Sequence, residues 1–172
     1  MKMVVEFEDI RREFTKLRKW AEDALAQVEE AQLFVAPTPE SNSLAVVMKH
    51  LAGNMRSRWT DFLTSDGEKP DRDRDAEFEI AAADDPAALF AAWRHGWDSL
   101  FTALDSLGPE DSEREVLIRG EAMTAMQAIL RQAAIHKVIC ARNCPVRRSS
   151  IPIRHHVVVS LLSGTTWPNA SP

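Results

Sequence analysis

A chain of 172 residues, 45% hydrophobic and 27% charged, is long enough for one globular domain with its own core. It has no run of about 18 apolar residues and no signal-peptide stretch in residues 1–6, so a soluble cytoplasmic protein with no membrane partner is expected. The net charge of -5 opposes a general nucleic-acid binder, which needs a basic face, and Cys140 and Cys144, four apart, give no disulfide framework.

Phe7, Ile10, Phe14, Leu17, Ala21, Ala24 and Val28 alternate spacings of three and four, which predicts a first helix near residues 6–32. Pro37 and Pro39 end it, and Ser41 or Asn42 is placed to cap the next helix. That second helix, near 43–64, carries Leu44, Val47, Met48, Leu51, Met55, Trp59 and Phe62 on one face. His50 falls about 100° from the centre of this stripe, on a flank that faces a cleft between helices. Arg58 points into the apolar sector, where a charge needs a partner, and an acid from the next segment is expected to supply it.

Residues 65–84 show little apolar periodicity, and four-helix bundles use a connection of that length to cross over. Within it, Asp71-Arg-Asp-Arg-Asp75 has Ala76 and Ala82 where a calcium loop needs Gly and Glu, so it reads as a solvated loop. Asp85 can cap a third helix with Pro86 in its first turn, and Leu89, Trp93, Trp97, Leu100, Leu104 and Leu107 form its stripe up to Gly108-Pro109. Trp59, Trp93 and Trp97 read as core, and His95, opposite the stripe, as exposed.

A fourth helix is predicted from near Gly120, with Met123, Met126, Leu130 and Ala134 facing inward. Lys137 then lands in the apolar sector, and Pro145 stops any helix. The tail, with Arg147-Arg148, His155-His156 and a lone strand candidate near 156–162, forms no convincing element.

Charge divides the chain in the same place. Residues 1–121 hold all 26 acids and 15 of the 21 Lys and Arg, a formal -11, while residues 122–172 hold no acid and 6 basic residues, a formal +6. Ordinary usage would put about 6 acids in a stretch of that length.

The segment from Asn42 to Glu79, with its Lys49-His-Leu-Ala-Gly-Asn-Met-Arg-Ser-Arg-Trp59 block, and the segment from Leu117 to Ala134 resemble the DinB-like superfamily of bacterial four-helix bundles. With the first helix, the resemblance covers about residues 1–134, and it is nearest to a branch of unassigned function. It implies a divalent metal, nickel or zinc, held by one histidine of the second helix and two of the fourth, with positions left open to water or substrate. Some relatives transfer low-molecular-weight thiols to electrophiles, and others hydrolyse or isomerise small molecules.

His50 matches the ligand of the second helix. After Arg131-Gln-Ala-Ala134 the pattern places histidines where this chain has Ile135 and Ile139, and the chain has no tyrosine. His136 is one residue away, a rotation of about 100° on a helix. His136, Cys140 and Cys144 stand at i, i+4 and i+8, so a helix persisting that far would put an imidazole and two thiolates along one face opposite His50. The motif, the acids and the apolar periodicity all stop together, which a change of reading frame near codon 135 would explain. A divergent but genuine tail is the competing account.

The expected fold is all-α: a four-helix bundle over residues 1–144 with a long crossover between its second and third helices, followed by an irregular tail over 145–172. The expected function is a divalent-metal-dependent transferase or hydrolase acting on a small thiol or electrophile, with metal ligands His50, His136 and Cys140 and no catalytic residue assigned. The alternative is a non-catalytic helical bundle with a degenerate metal site, acting by self-association. A homodimer is expected, as in many such bundles, and nucleic-acid binding through the basic tail ranks below both functions.

Overall fold

In the computed structural model, which describes residues 7–39 and 41–143 with side chains as far as His136, the three large apolar stripes each become a helix. The first, α1 (Phe7–Leu25), buries Ile10, Phe14 and Leu17, and its outer face is laced by pairs such as Arg18–Glu22 at 2.8 Å and Lys19–Asp23 at 2.9 Å. It stops earlier than its periodicity suggests. Gln27 N bonds Ala24 O and Val28 N bonds Leu25 O, a tightened last turn, and the single turn α2 (Glu30–Leu33) then sets Leu33 into the core.

The second long helix, α3 (Leu44–Trp59), is capped by Ser43 rather than Ser41 or Asn42, its Oγ accepting from Val46 N at 3.3 Å. Ser41 is instead paired with Thr38. Instead of running to residue 64, α3 ends at Trp59, because Thr60 is extended and Asp61 adopts a left-handed φ of 50°. Phe62 still reaches the core, its ring 4.6 Å from that of Trp59.

The crossover that follows is irregular apart from a single 3-10 turn, Ala76–Phe78. It delivers the chain to α4 (Pro86–Asp105), where Asp85 Oδ1 accepts from Ala88 N at 2.7 Å, and Leu89, Trp93, Trp97, Leu100 and Leu104 are all buried as the stripe predicts. Arg11 pairs with Asp105 and Arg18 with Asp98, so α1 and α4 run antiparallel. The closest backbone approach of α3 and α4 lies at Gly96, where a Cβ would stand 3.0 Å from Ala52 Cα.

The fourth long helix does not begin near Gly120. A β-hairpin precedes it: β1 (Glu115–Ile118) pairs antiparallel with β2 (Glu121–Thr124), Ile118 opposite Glu121. Its two-residue turn puts Arg119 and Gly120 at φ of 58° and 73°, the mirror-image turn that matches strand twist. Thr124 Oγ1 then accepts from Gln127 N while Gln127 Oε1 accepts from Thr124 N, a reciprocal cap that starts α5 (Ala125–Asn143).

The inward face of α5 also differs from expectation. Ala125, Ala128, Ile129, Gln132 and His136 are buried, whereas Leu130 is 51% exposed. Small and polar residues line the core here, and that composition hides the true stripe from hydrophobicity. Helical backbone continues through Cys140 to Asn143, while the side chains of residues 137–143, Lys137 and Cys140 included, lie outside the description. Cys144, the tail of 145–172 and the strand candidate near 156–162 fall outside the described residues.

The fold is thus an all-α bundle of four long helices with a small hairpin at one connection and a core centred on Phe14, Met55, Trp97, Leu100 and Ile129. Among the described residues no helix is long and apolar enough to cross a membrane.

Candidate functional site

His50 projects from the flank of α3, half-buried, with its ring lying 4.8 Å from that of Phe78. Its Nδ1 meets Glu77 Oε2 at 2.8 Å. Glu77 belongs to the 3-10 turn of the crossover and is itself buried against α3. It can lie there only because position 53 is glycine: a Cβ on Gly53 would penetrate Glu77 Oε1. The Ala52-Gly53 pair therefore serves two close approaches, one to α4 and one to the crossover.

Arg72 locks the carboxylate in place. Its Nε donates to Glu77 Oε1 and its Nη2 to Oε2, both at 2.7 Å, and its Nη1 donates to Glu68 at 3.2 and 3.3 Å. Glu68 accepts in turn from Arg119 Nε at 3.1 Å, which joins this chain of charges to the hairpin turn. Burial pushes the Glu77 carboxyl upward, but hydrogen bonds from His50 and Arg72 and the charge of Arg72 outweigh it and hold the group below the ordinary carboxylate range. The ionised carboxylate favours a proton on the His50 Nδ1, which leaves Nε2 as the ring nitrogen not engaged by Glu77.

Asn54 and Arg58 follow His50 along α3 at i+4 and i+8, on the same face. Arg58 is only 6% exposed, and its hydrogen-bond partner is not the expected acid: Nη1 donates to Gln132 Oε1 at 2.5 Å. Burial first, then the neighbouring charges of Arg131 and Arg72, lower its pKa to about 10, so it remains a cation at neutral pH.

Gln132 Nε2 donates in turn to His136 Nε2 at 2.7 Å. His136 is 1% exposed and stands edge-on to Phe14 of α1 and Trp97 of α4, ring centroids 6.1 and 5.3 Å away. Burial, reinforced by the charges of Arg58 and His50, pushes its pKa down to about 3, so the ring is neutral, with Nε2 accepting and the proton on Nδ1.

Toward a divalent ion His50 offers a single imidazole nitrogen, the ring held by Glu77. On α5 the imidazole among the described side chains is that of His136, whose Nε2 is engaged by Gln132. Among the described residues no three His, Cys, Asp or Glu side chains gather as a metal-ligand cluster. His95 is exposed, as expected, and borders a cavity of about 380 Å³ beside Glu77, whose cations Lys49, Arg56 and Arg72 are already paired with Asp84, Asp71 and Glu77. In the acidic run, Asp73 caps the 3-10 turn through Ala76 N at 3.0 Å.

Sequence reasoning missed Glu77, Arg72 and Gln132. Glu77 and Arg72 sit in a charge-rich loop that gives no sign of burial, and Gln132 lies on a helix whose small and polar inward face carries little hydrophobic signal. No curated protein and no solved structure matches this chain. A family model, described as "Protein of unknown function (DUF1572)", matches residues 5–140, most of the 172, and the chain belongs to that family.

Proposed function

We propose that this protein is a DinB-like bundle that binds a divalent metal, nickel or zinc, through His50, and acts as a metal-dependent transferase or hydrolase on a small thiol or electrophile. The observation that carries this reading is the His50–Glu77–Arg72 relay. Metal-ligating histidines characteristically give their second nitrogen to a carboxylate, which fixes the tautomer and aims the free lone pair.

On α5, His136 is neutral, the state in which imidazole ligates, and Cys140 follows one helical turn later. These two would complete the donor set if the His136 Nε2 exchanged Gln132 for the ion. A bound metal would lower the pKa of a coordinated water or thiol and polarise a substrate oxygen. The chain's own contribution is orientation: Arg72 holds Glu77, and Glu77 holds His50. A homodimer in the cytoplasm belongs to the same proposal.

The test is metal content by mass spectrometry after exposure of the tag-free protein to nickel and to zinc, then removal of the excess. Near-stoichiometric metal that is lost in His50→Ala supports the reading. The second reading, a non-catalytic bundle acting by self-association, is favoured by the seat of His136 between Phe14 and Trp97. It predicts no metal in either protein, with association visible by sedimentation.

A further inference from the structure

Arg58 is a buried cation with too few partners. Among the described residues its one hydrogen bond is made by Nη1, and to an uncharged amide oxygen, that of Gln132. Among the described residues its Nε is buried with no hydrogen-bond partner, and one turn earlier Asn54 Oδ1 is likewise buried and unpartnered. The surrounding charges compound the problem: Arg131, Arg72 and Arg119 all bear on the guanidinium, and Glu68, an acid that does so, is already shared by Arg72 and Arg119. From residue 122 onward the chain contains no acid that could answer it. An unneutralised guanidinium in the interior is costly, and the cost is recovered when an anion arrives.

We propose that Arg58, with Asn54 and Gln132, is an anion subsite that takes the carboxylate or phosphate group of a small molecule lying between α3 and α5. The free edge of the guanidinium has the right form. Gln132 occupies Nη1, which leaves Nε and Nη2 side by side, the pair that grips two oxygens of one oxyanion. Asn54 Oδ1 would accept from a hydroxyl or amide N–H of the same molecule. His50, Asn54 and Arg58 share one face of α3, and eight residues of helix rise about 12 Å, so the molecule's other end lies toward His50. Anion binding rests on Arg58 alone, whereas calling the anion a substrate group rests on the metal reading of His50.

Thermal unfolding and calorimetric titration of the metal-free full chain with sodium phosphate and with sodium acetate, against sodium chloride at matched ionic strength and pH, test the subsite. The expected result is saturable stabilisation of the native protein, the stronger of the two anions identifying a phosphate or a carboxylate source. Arg58→Met weakens that binding at least about tenfold, while Arg58→Lys, which keeps the charge without the paired edge, binds at an intermediate level. No saturable effect of either anion on the native protein overturns the proposal, and so does equal binding by the native protein and Arg58→Lys, the arm that decides if Arg58→Met does not fold. Metal uptake is measured in parallel. An Arg58-dependent anion effect in a protein that takes up no metal upholds the subsite and removes the metal reading.

Discussion

Mild acid should cost this bundle stability through one side chain, His136. Burial places its folded pKa at about 3, against a reference value of 6.5 for an exposed imidazole. The folded value is the lower one, so the contribution is complete above pH 6.5 and is lost as the pH falls toward 3. Between pH 7.5 and pH 5 the unfolded chain binds a proton at this position and the folded chain does not, a difference worth about 2 kcal/mol. Glu77, held below the ordinary carboxylate range, loses its contribution only at lower pH and leaves this window clear. Urea unfolding at the two pH values, in chelator to keep the protein metal-free, measures the loss in the native protein and in His136→Leu. The native protein should lose about 2 kcal/mol more than the variant. Equal losses would mean that His136 is solvated or paired with an acid, and would refute its placement between Phe14 and Trp97.

Two further substitutions probe how the site is held. Gly53→Ala forces a Cβ into Glu77 and should expel the carboxylate from His50, at a cost of about 1–3 kcal/mol in denaturant unfolding. Imidazole NMR should show the His50 Nδ1 proton losing its protection, and an unchanged spectrum would place Glu77 elsewhere. Asp66 accepts from the backbone N–H of Glu68, Arg119 and Gly120 at 2.7, 2.8 and 2.6 Å, stitching the crossover to the hairpin turn. Asp66→Ala should destabilise by about 1–3 kcal/mol and speed amide exchange at Arg119 and Gly120, and slow exchange in the variant would show that the turn stands without it.

The helices α1, α3 and α4 were legible because each buries large apolar residues at helical spacing, and those residues can face inward only one way. The inward face of α5 was not, because Ala125, Ala128, Gln132 and His136 carry little hydrophobic signal, while the exposed Leu130 carries a false one. The hairpin was hidden for a related reason. Val116 and Ile118 point inward, but the intervening Leu117 is exposed and apolar, which erases the alternation, and Arg119 is an unusual occupant of a left-handed turn position. His50 could be picked out from its block of neighbours. Its partner could not, since the burial of Glu77 depends on the missing Cβ of Gly53, far away in the chain. The same holds for Arg58: its need for a partner was readable from its place on the helix, but the partner, Gln132, is set by how α5 is rotated.

In the proposed function His50 is a metal ligand oriented by Glu77. Metal content after nickel or zinc exposure, compared among the native protein, His50→Ala and Glu77→Ala, tests it most directly. Near-stoichiometric metal is expected in the native protein, none in His50→Ala, and about 10–100-fold weaker affinity in Glu77→Ala. Metal absent from the native protein, or retained equally by His50→Ala, would contradict it.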